Sequence, residues 1–145
     1  MRAAIAELSA SRIREVANAG IGRSDVLAFW FGESDAPTPA AIKDAAVASI
    51  QRGETFYAHN LGLPELRSAI AEYGSSLHRP VTADRIAVTS AGVNALMLAQ
   101  QVLLGAGDEV VAVVPVWPNL TAQPIIMGAT VKRVSLHPDA SGQWQ

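Results

Sequence analysis

The chain has 145 residues, 50% of them hydrophobic, and its 11 Lys and Arg against 13 Asp and Glu give a formal net charge of -2. That is length for one domain with a real core, and too little positive charge to draw the chain to nucleic acid. With no cysteine it can build neither a disulfide framework nor a thiolate metal site, and its three histidines, His59, His78 and His137, are too scattered to read as metal ligands.

The opening MRAAIAELSASRIREV has no continuous apolar stretch of the kind that directs export, and no apolar run approaches membrane-spanning length. A soluble cytoplasmic protein with no membrane partner is the expectation. Ser11 to Ala19 reads as a short amphipathic helix, with Ser11 as N-cap, Ile13 and Val16 on one face and Gly20 as its stop. It is too short to stand alone and is expected to be an arm or lid. Val26 to Phe31 (VLAFWF) is a compact apolar run that predicts a buried strand closed by Gly32. A loop with two prolines follows, then a helix with Thr38 as N-cap, Pro39 in its first turn and an end near Gly53.

Further on, Gly62 supplies a turn and Pro64 occupies the first position of a helix that places Leu66, Ile70, Tyr73 and Leu77 on one face and ends before Pro80. Arg85 to Thr89 predicts a short strand, Val93 to Leu104 a helix stopped by Gly105, and Val110 to Val114 a strand apolar on both sides. Strands apolar on both sides are those of buried parallel sheets, and a strand, helix, strand run of about 30 residues is the size of one right-handed βαβ unit. Ala129 to Leu136 alternates and predicts a further strand nearer the sheet edge. Asp108 fits as a turn residue leading into the sheet.

Two stretches carry chemistry. In AVTSAGVNALMLAQ the strand-to-helix turn is built of small residues, Ser90, Ala91 and Gly92, followed by Val93. The first turn of a helix leaves amides without partners at the positive end of its dipole, and small side chains let an anion reach them. TSAGV is therefore a candidate phosphate cradle, with main-chain donors at Ala91, Gly92 and Val93 and a hydroxyl from Ser90. The competing reading is that these residues are small because the helix packs tightly on the sheet. In VVPVWPN, Trp117 lies just past the carboxyl end of the apolar strand between Pro115 and Pro118. Ligands collect at the carboxyl ends of strands in open α/β sheets, and a tryptophan held there is a flat surface for stacking an aromatic ring, although covering core is a commoner fate. A cradle and a platform at successive strand ends together describe a planar phosphorylated cofactor.

GESDAPTP, FYAHNLGLPELRSAIAEY, RIAVTSAGVNALMLA, GDEVVAVVPVWPN and MGATV occur here in this order. In these motifs the chain resembles the class I/II aminotransferases, the fold-type-I pyridoxal-phosphate enzymes, from about Ile13 onward. The resemblance implies an α/β fold: part of a mostly parallel three-layer α/β/α sheet domain, truncated, preceded by a short N-terminal helical arm. It implies a division into residues 1–35, arm and small-domain segment, and residues 36–145, an incomplete cofactor-binding domain. It implies pyridoxal 5'-phosphate as cofactor, with the amides of Ala91, Gly92 and Val93 and the Ser90 hydroxyl on its phosphate, and Trp117 stacked on its ring. Tyr57 matches the tyrosine that reaches across a homodimer interface to the neighbouring phosphate, and Gly32 the loop glycine whose backbone lies beside the substrate carboxylate. Amino acid and 2-oxo acid are the implied substrates.

The sequence departs from the family pattern at Val93, where many members carry a hydroxyl or lysine side chain, so this position offers only its N–H. It departs further in having only Lys43 and Lys132 as lysines. Both read as solvated surface residues, and neither matches the family's cofactor-bearing lysine, so no catalytic residue is assigned. The family's lysine, ring-nitrogen aspartate and carboxylate-binding arginine lie beyond the motifs present. The expectation is thus the N-terminal part of a longer aminotransferase, inactive by itself and exposing apolar surface. Two neighbouring functions share the same residues, a lyase or synthase of this fold and a silent dimerisation or effector-sensing module; the latter predicts a DNA-binding region ahead of Ile13, which the short stretch present there is not expected to form. A nicotinamide-dinucleotide domain requires G-x-G-x-x-G, which SAGVNA does not supply.

Overall fold

Strands β1 (Glu109–Val114) and β2 (Thr130–Ser135) pair in parallel, with Glu109 opposite Thr130 and Val114 opposite Ser135. The computed structural model describes residues 1–144 and falls into two units: residues 1–28 with those from 90 onward, and residues 29–89. The fold is α/β with a parallel sheet, as expected.

In the first unit, helices α1 (Ala3–Ala6) and α2 (Arg12–Gly20) make up the N-terminal segment. The short helix expected over residues 11–19 is present, but Ser11 makes no side-chain capping bond and Gly20 is its buried last residue rather than a stop beyond it. Helix α5 (Gly92–Leu103) leads to β1, and α6 (Asn119–Met127) links β1 to β2. Asp108 forms the expected turn, its Oδ2 accepting the Gly105 N–H at 2.7 Å. Helix α6 is not among the elements expected from the sequence, and it carries a proline. Pro124 sits inside it, fully buried, and the helix ends at Gly128 (φ 95°) with the Ala129 N–H returning to the Pro124 carbonyl at 3.0 Å. The βαβ unit therefore comprises β1, α6 and β2.

Strand β1 corrects one expectation. Its apolar sequence predicts burial on both sides, yet Ala112 is buried while its neighbours Val111 and Val113 are exposed. With two strands in the sheet among the described residues, one side is covered and the other is not.

The second unit holds α3 (Ala40–Gln51) and α4 (Pro64–Leu77), with a 3₁₀ turn at Ala83–Arg85. Pro64 opens α4 as predicted, whereas Pro39, not Thr38, takes the N-cap position of α3. Half-buried Arg67 fastens α4 to the 3₁₀ turn, Nε donating to the Ile86 carbonyl at 2.9 Å and Nη2 to that of Ala83 at 2.7 Å. Neither of the strands predicted at 26–31 and 85–89 forms. A strand exists through its ladder: in the second segment the Arg85 and Ile86 N–H groups turn back locally to the Thr82 and Ala83 carbonyls, Val88 N–H reaches the Leu61 carbonyl at 2.9 Å, and no ladder results, while in the first, Leu27 and Phe29 are 80% and 87% exposed. The face of Leu66, Ile70, Tyr73 and Leu77 on α4 is also exposed.

Candidate functional site

The small-residue turn is where α5 begins. Ala91 is the N-cap residue in extended conformation (φ -165°, ψ 161°), and its carbonyl accepts the N–H groups of Asn94 and Ala95, both at 3.0 Å. Gly92 and Val93 occupy the first two helical positions, where no carbonyl lies a turn behind to receive their N–H groups. Ser90, Ala91 and Gly92 are exposed, and Val93 is at the border of exposure. Among the described residues, a Cβ placed on Gly92 would meet nothing within 4 Å. Tight packing on the sheet therefore does not account for the glycine, while an approaching anion would use the open space. The donor set of main-chain amides at a positive helix end, with a neighbouring serine hydroxyl, fits a phosphate.

Trp117 follows the carboxyl end of β1 by three residues, past the cis Val114–Pro115 bond. It is 45% exposed, so it is not a core-filling tryptophan. Its backbone is fixed by the first turn of α6: the Trp117 carbonyl accepts the Leu120 N–H at 3.0 Å, and that of Pro118 accepts Thr121 and Ala122 at 3.1 and 3.0 Å. Ser90, Ala91, Gly92, Val93 and Trp117 all belong to the first unit. Tyr57 and Gly32 belong to the second, each in irregular backbone, Tyr57 fully exposed and Gly32 with open space where a Cβ would stand.

One buried residue bonded to the start of α5 escapes sequence reasoning. Gln123 on α6 is 6% exposed; its Nε2 donates to the Val93 carbonyl at 3.1 Å and its Oε1 accepts from Gln100 Nε2 at 3.3 Å. A lone glutamine beside a proline gives no signal until α6 is known to exist. Of the two lysines, Lys43 is exposed and Lys132 pairs with Glu109 at 3.0 Å on the surface. No group of three or more metal-ligating side chains occurs among the described residues, and no helix there is long and apolar enough to cross a membrane.

The family described as aminotransferase class I and II matches residues 25–145. The chain is 38% identical over 111 residues to an aspartate aminotransferase of Thermotoga maritima, covering 76% of this chain and 29% of the relative. It is 35% identical over 116 residues to an aspartate/prephenate aminotransferase of Thermus thermophilus, covering 79% and 30%. Among solved structures, a Thermotoga maritima aspartate aminotransferase superposes with a TM-score of 0.86 at 33% identity, over 100% of this chain and 40% of that one. An alanine aminotransferase from Pyrococcus furiosus gives a TM-score of 0.81 at 26% identity, over 100% and 39%. The chain thus spans about a third of the length of the relatives it matches.

Proposed function

The chain belongs to the class I and II aminotransferases, and on that premise we propose that it carries the phosphate-binding, ring-stacking and interface parts of a pyridoxal 5'-phosphate-dependent enzyme that moves an amino group between an amino acid and a 2-oxo acid. The observation that carries this reading is the bare first turn of α5, where a glycine not demanded by packing leaves open space beside the first amides of the helix. When bound, pyridoxal 5'-phosphate supplies an electron-withdrawing ring that stabilises negative charge at the substrate α-carbon.

This chain's own residues bind and orient. The amides of Ala91, Gly92 and Val93 hold the phosphate with help from the Ser90 hydroxyl, and the α5 dipole favours its charge. Trp117 lies flat against the ring and keeps water from that face. Tyr57, fully exposed on its loop, reaches a second copy's phosphate in a homodimer, and the backbone of Gly32 lies beside the substrate carboxylate. Residues 1–35 act as arm and small-domain segment, and residues 36–145 as part of the cofactor-binding domain. Neither Lys43 nor Lys132 holds the cofactor covalently, so the 145 residues by themselves bind it without transaminating.

The test is a titration of the chain with pyridoxal 5'-phosphate, followed by tryptophan fluorescence. Saturable quenching is expected, and Trp117→Ala should abolish most of it and weaken binding by about three- to tenfold, the loss of one stacked aromatic contact. Unchanged quenching in the variant, or a stoichiometric adduct on Lys43 or Lys132 after borohydride reduction, would overturn the reading.

A further inference from the structure

Gln123 occupies a costly position for an amide. It is buried on α6, next to the fully buried Pro124, and a primary amide withdrawn from water must find its hydrogen bonds inside the protein. It finds both of them on one neighbour, α5: its Nε2 donates to the Val93 carbonyl at 3.1 Å, and its Oε1 accepts from Gln100 at 3.3 Å. Val93 and Gln100 are seven positions apart, two turns on one face of α5, so the single side chain spans that length of the helix. The arrangement is not free of cost, because Gln100 Oε1 is buried with no partner among the described residues. Apolar residues of the same volume would pack two helices without that penalty.

The endpoints of this strut explain why an amide is placed there. Val93 is the second residue of α5, and its N–H is one of the cradle donors; Gln123 holds the carbonyl of the same residue. At the other end, α6 starts at Asn119, two residues after Trp117, with the Trp117 carbonyl already bonded into its first turn. Sliding or rolling α6 against α5 would move the indole relative to the amides, and apolar packing alone tolerates such slides better than a directional hydrogen bond does.

We propose that Gln123 is a positioning residue: by bonding the Val93 carbonyl from α6, it sets the first turn of α5 at the depth and rotation that receive a phosphate while Trp117 meets the attached ring. Gln100 orients the Gln123 amide so that its NH₂ faces Val93. This inference rests on the cradle and platform assignment above, and adds to it a residue that touches neither phosphate nor ring.

The experiment compares the chain with its Gln123→Met and Gln100→Met variants, which keep side-chain length and apolar bulk. Each is titrated with pyridoxal 5'-phosphate and with pyridoxal, which lacks the phosphate, by tryptophan fluorescence, and each is melted without ligand. Gln123→Met should bind pyridoxal 5'-phosphate about three- to tenfold more weakly, the value of one buried hydrogen bond, and bind pyridoxal as the native chain does. Gln100→Met should show the same selective loss to a smaller extent, about two- to threefold, because the bond to Val93 remains. A purely structural role would lower both affinities together in step with the melting temperature, and that result overturns the proposal. Equal affinity for the phosphorylated ligand in native and variant chains also overturns it while leaving the cradle intact. A native chain that fails to distinguish the two ligands overturns the cradle, and this inference with it.

Discussion

Replacing Gly62 with alanine tests how the second unit is held. Gly62 has φ 101°, a conformation that costs an L residue about 1–2 kcal/mol. A methyl there would also stand 2.5 Å from Val88 Cγ2 and 2.7 Å from Val88 Cβ, contacts that cannot exist without movement. Val88 has little means to move: it is β-branched and stiff, and its N–H is bonded to the Leu61 carbonyl at 2.9 Å, the residue before the glycine. Overpacking of this kind adds about 1–3 kcal/mol, so Gly62→Ala should cost about 2–5 kcal/mol in all. Urea unfolding monitored by circular dichroism measures it, and Val88→Gly separates the two parts because it removes every contacting atom. In the double variant only the backbone term remains, so the combined loss should fall short of the sum of the single losses by about 1–3 kcal/mol. Strict additivity would refute the contact between Gly62 and Val88, and a Gly62→Ala effect under about 0.5 kcal/mol would refute the positive φ as well.

Arg67→Met should remove two charge-assisted bonds to the Ile86 and Ala83 carbonyls and lower unfolding stability by about 2–4 kcal/mol, with Arg67→Lys recovering part of it; equal losses in the two variants would count against the paired geometry. Glu54 is held at about 2 against an ordinary 4.5, first by hydrogen bonding to Arg52 and then by the Ser49 hydroxyl at 2.7 Å. Its folded value is the lower one, so its contribution is present above pH 4.5 and is lost as pH falls from there towards 2; carbon-13 titration of the Glu54 carboxyl should show the low midpoint, and Ser49→Ala should raise it. Gly92→Leu should leave stability within about 1 kcal/mol, since the new side chain enters open space, but weaken pyridoxal 5'-phosphate binding at least about tenfold by filling the approach to the amides. Full affinity in that variant would remove Gly92 from the site.

The start of α4 and the two strands were legible because they depend on local chemistry: Pro64 presets its own φ, and the runs at 110–114 and 130–135 have strand composition. Segments that depend on a distant partner were not. VLAFWF and the stretch from Arg85 to Thr89 have strand composition, but composition cannot state whether a second edge lies alongside, and here neither has a ladder. Helix α6 failed for the opposite reason: Pro124 removes one N–H bond, and complete burial of its ring offsets that loss in a way no local pattern records. At the site, the turn at 90–93 and Trp117 were visible as residue types, whereas Gln123 acquires meaning only once α5 and α6 lie side by side.

The bare valines of β1 and the uncovered stripe on α4 give these 145 residues, taken by themselves, apolar surface that faces water. A surface of this kind, with Val111, Val113, Leu66 and Tyr73 presented to water, displays to holdase chaperones and proteases the same apolar features by which they recognise unfinished folding. Polar substitutions at Val111 or Val113 should therefore slow aggregation of the isolated chain before they alter anything at the phosphate turn.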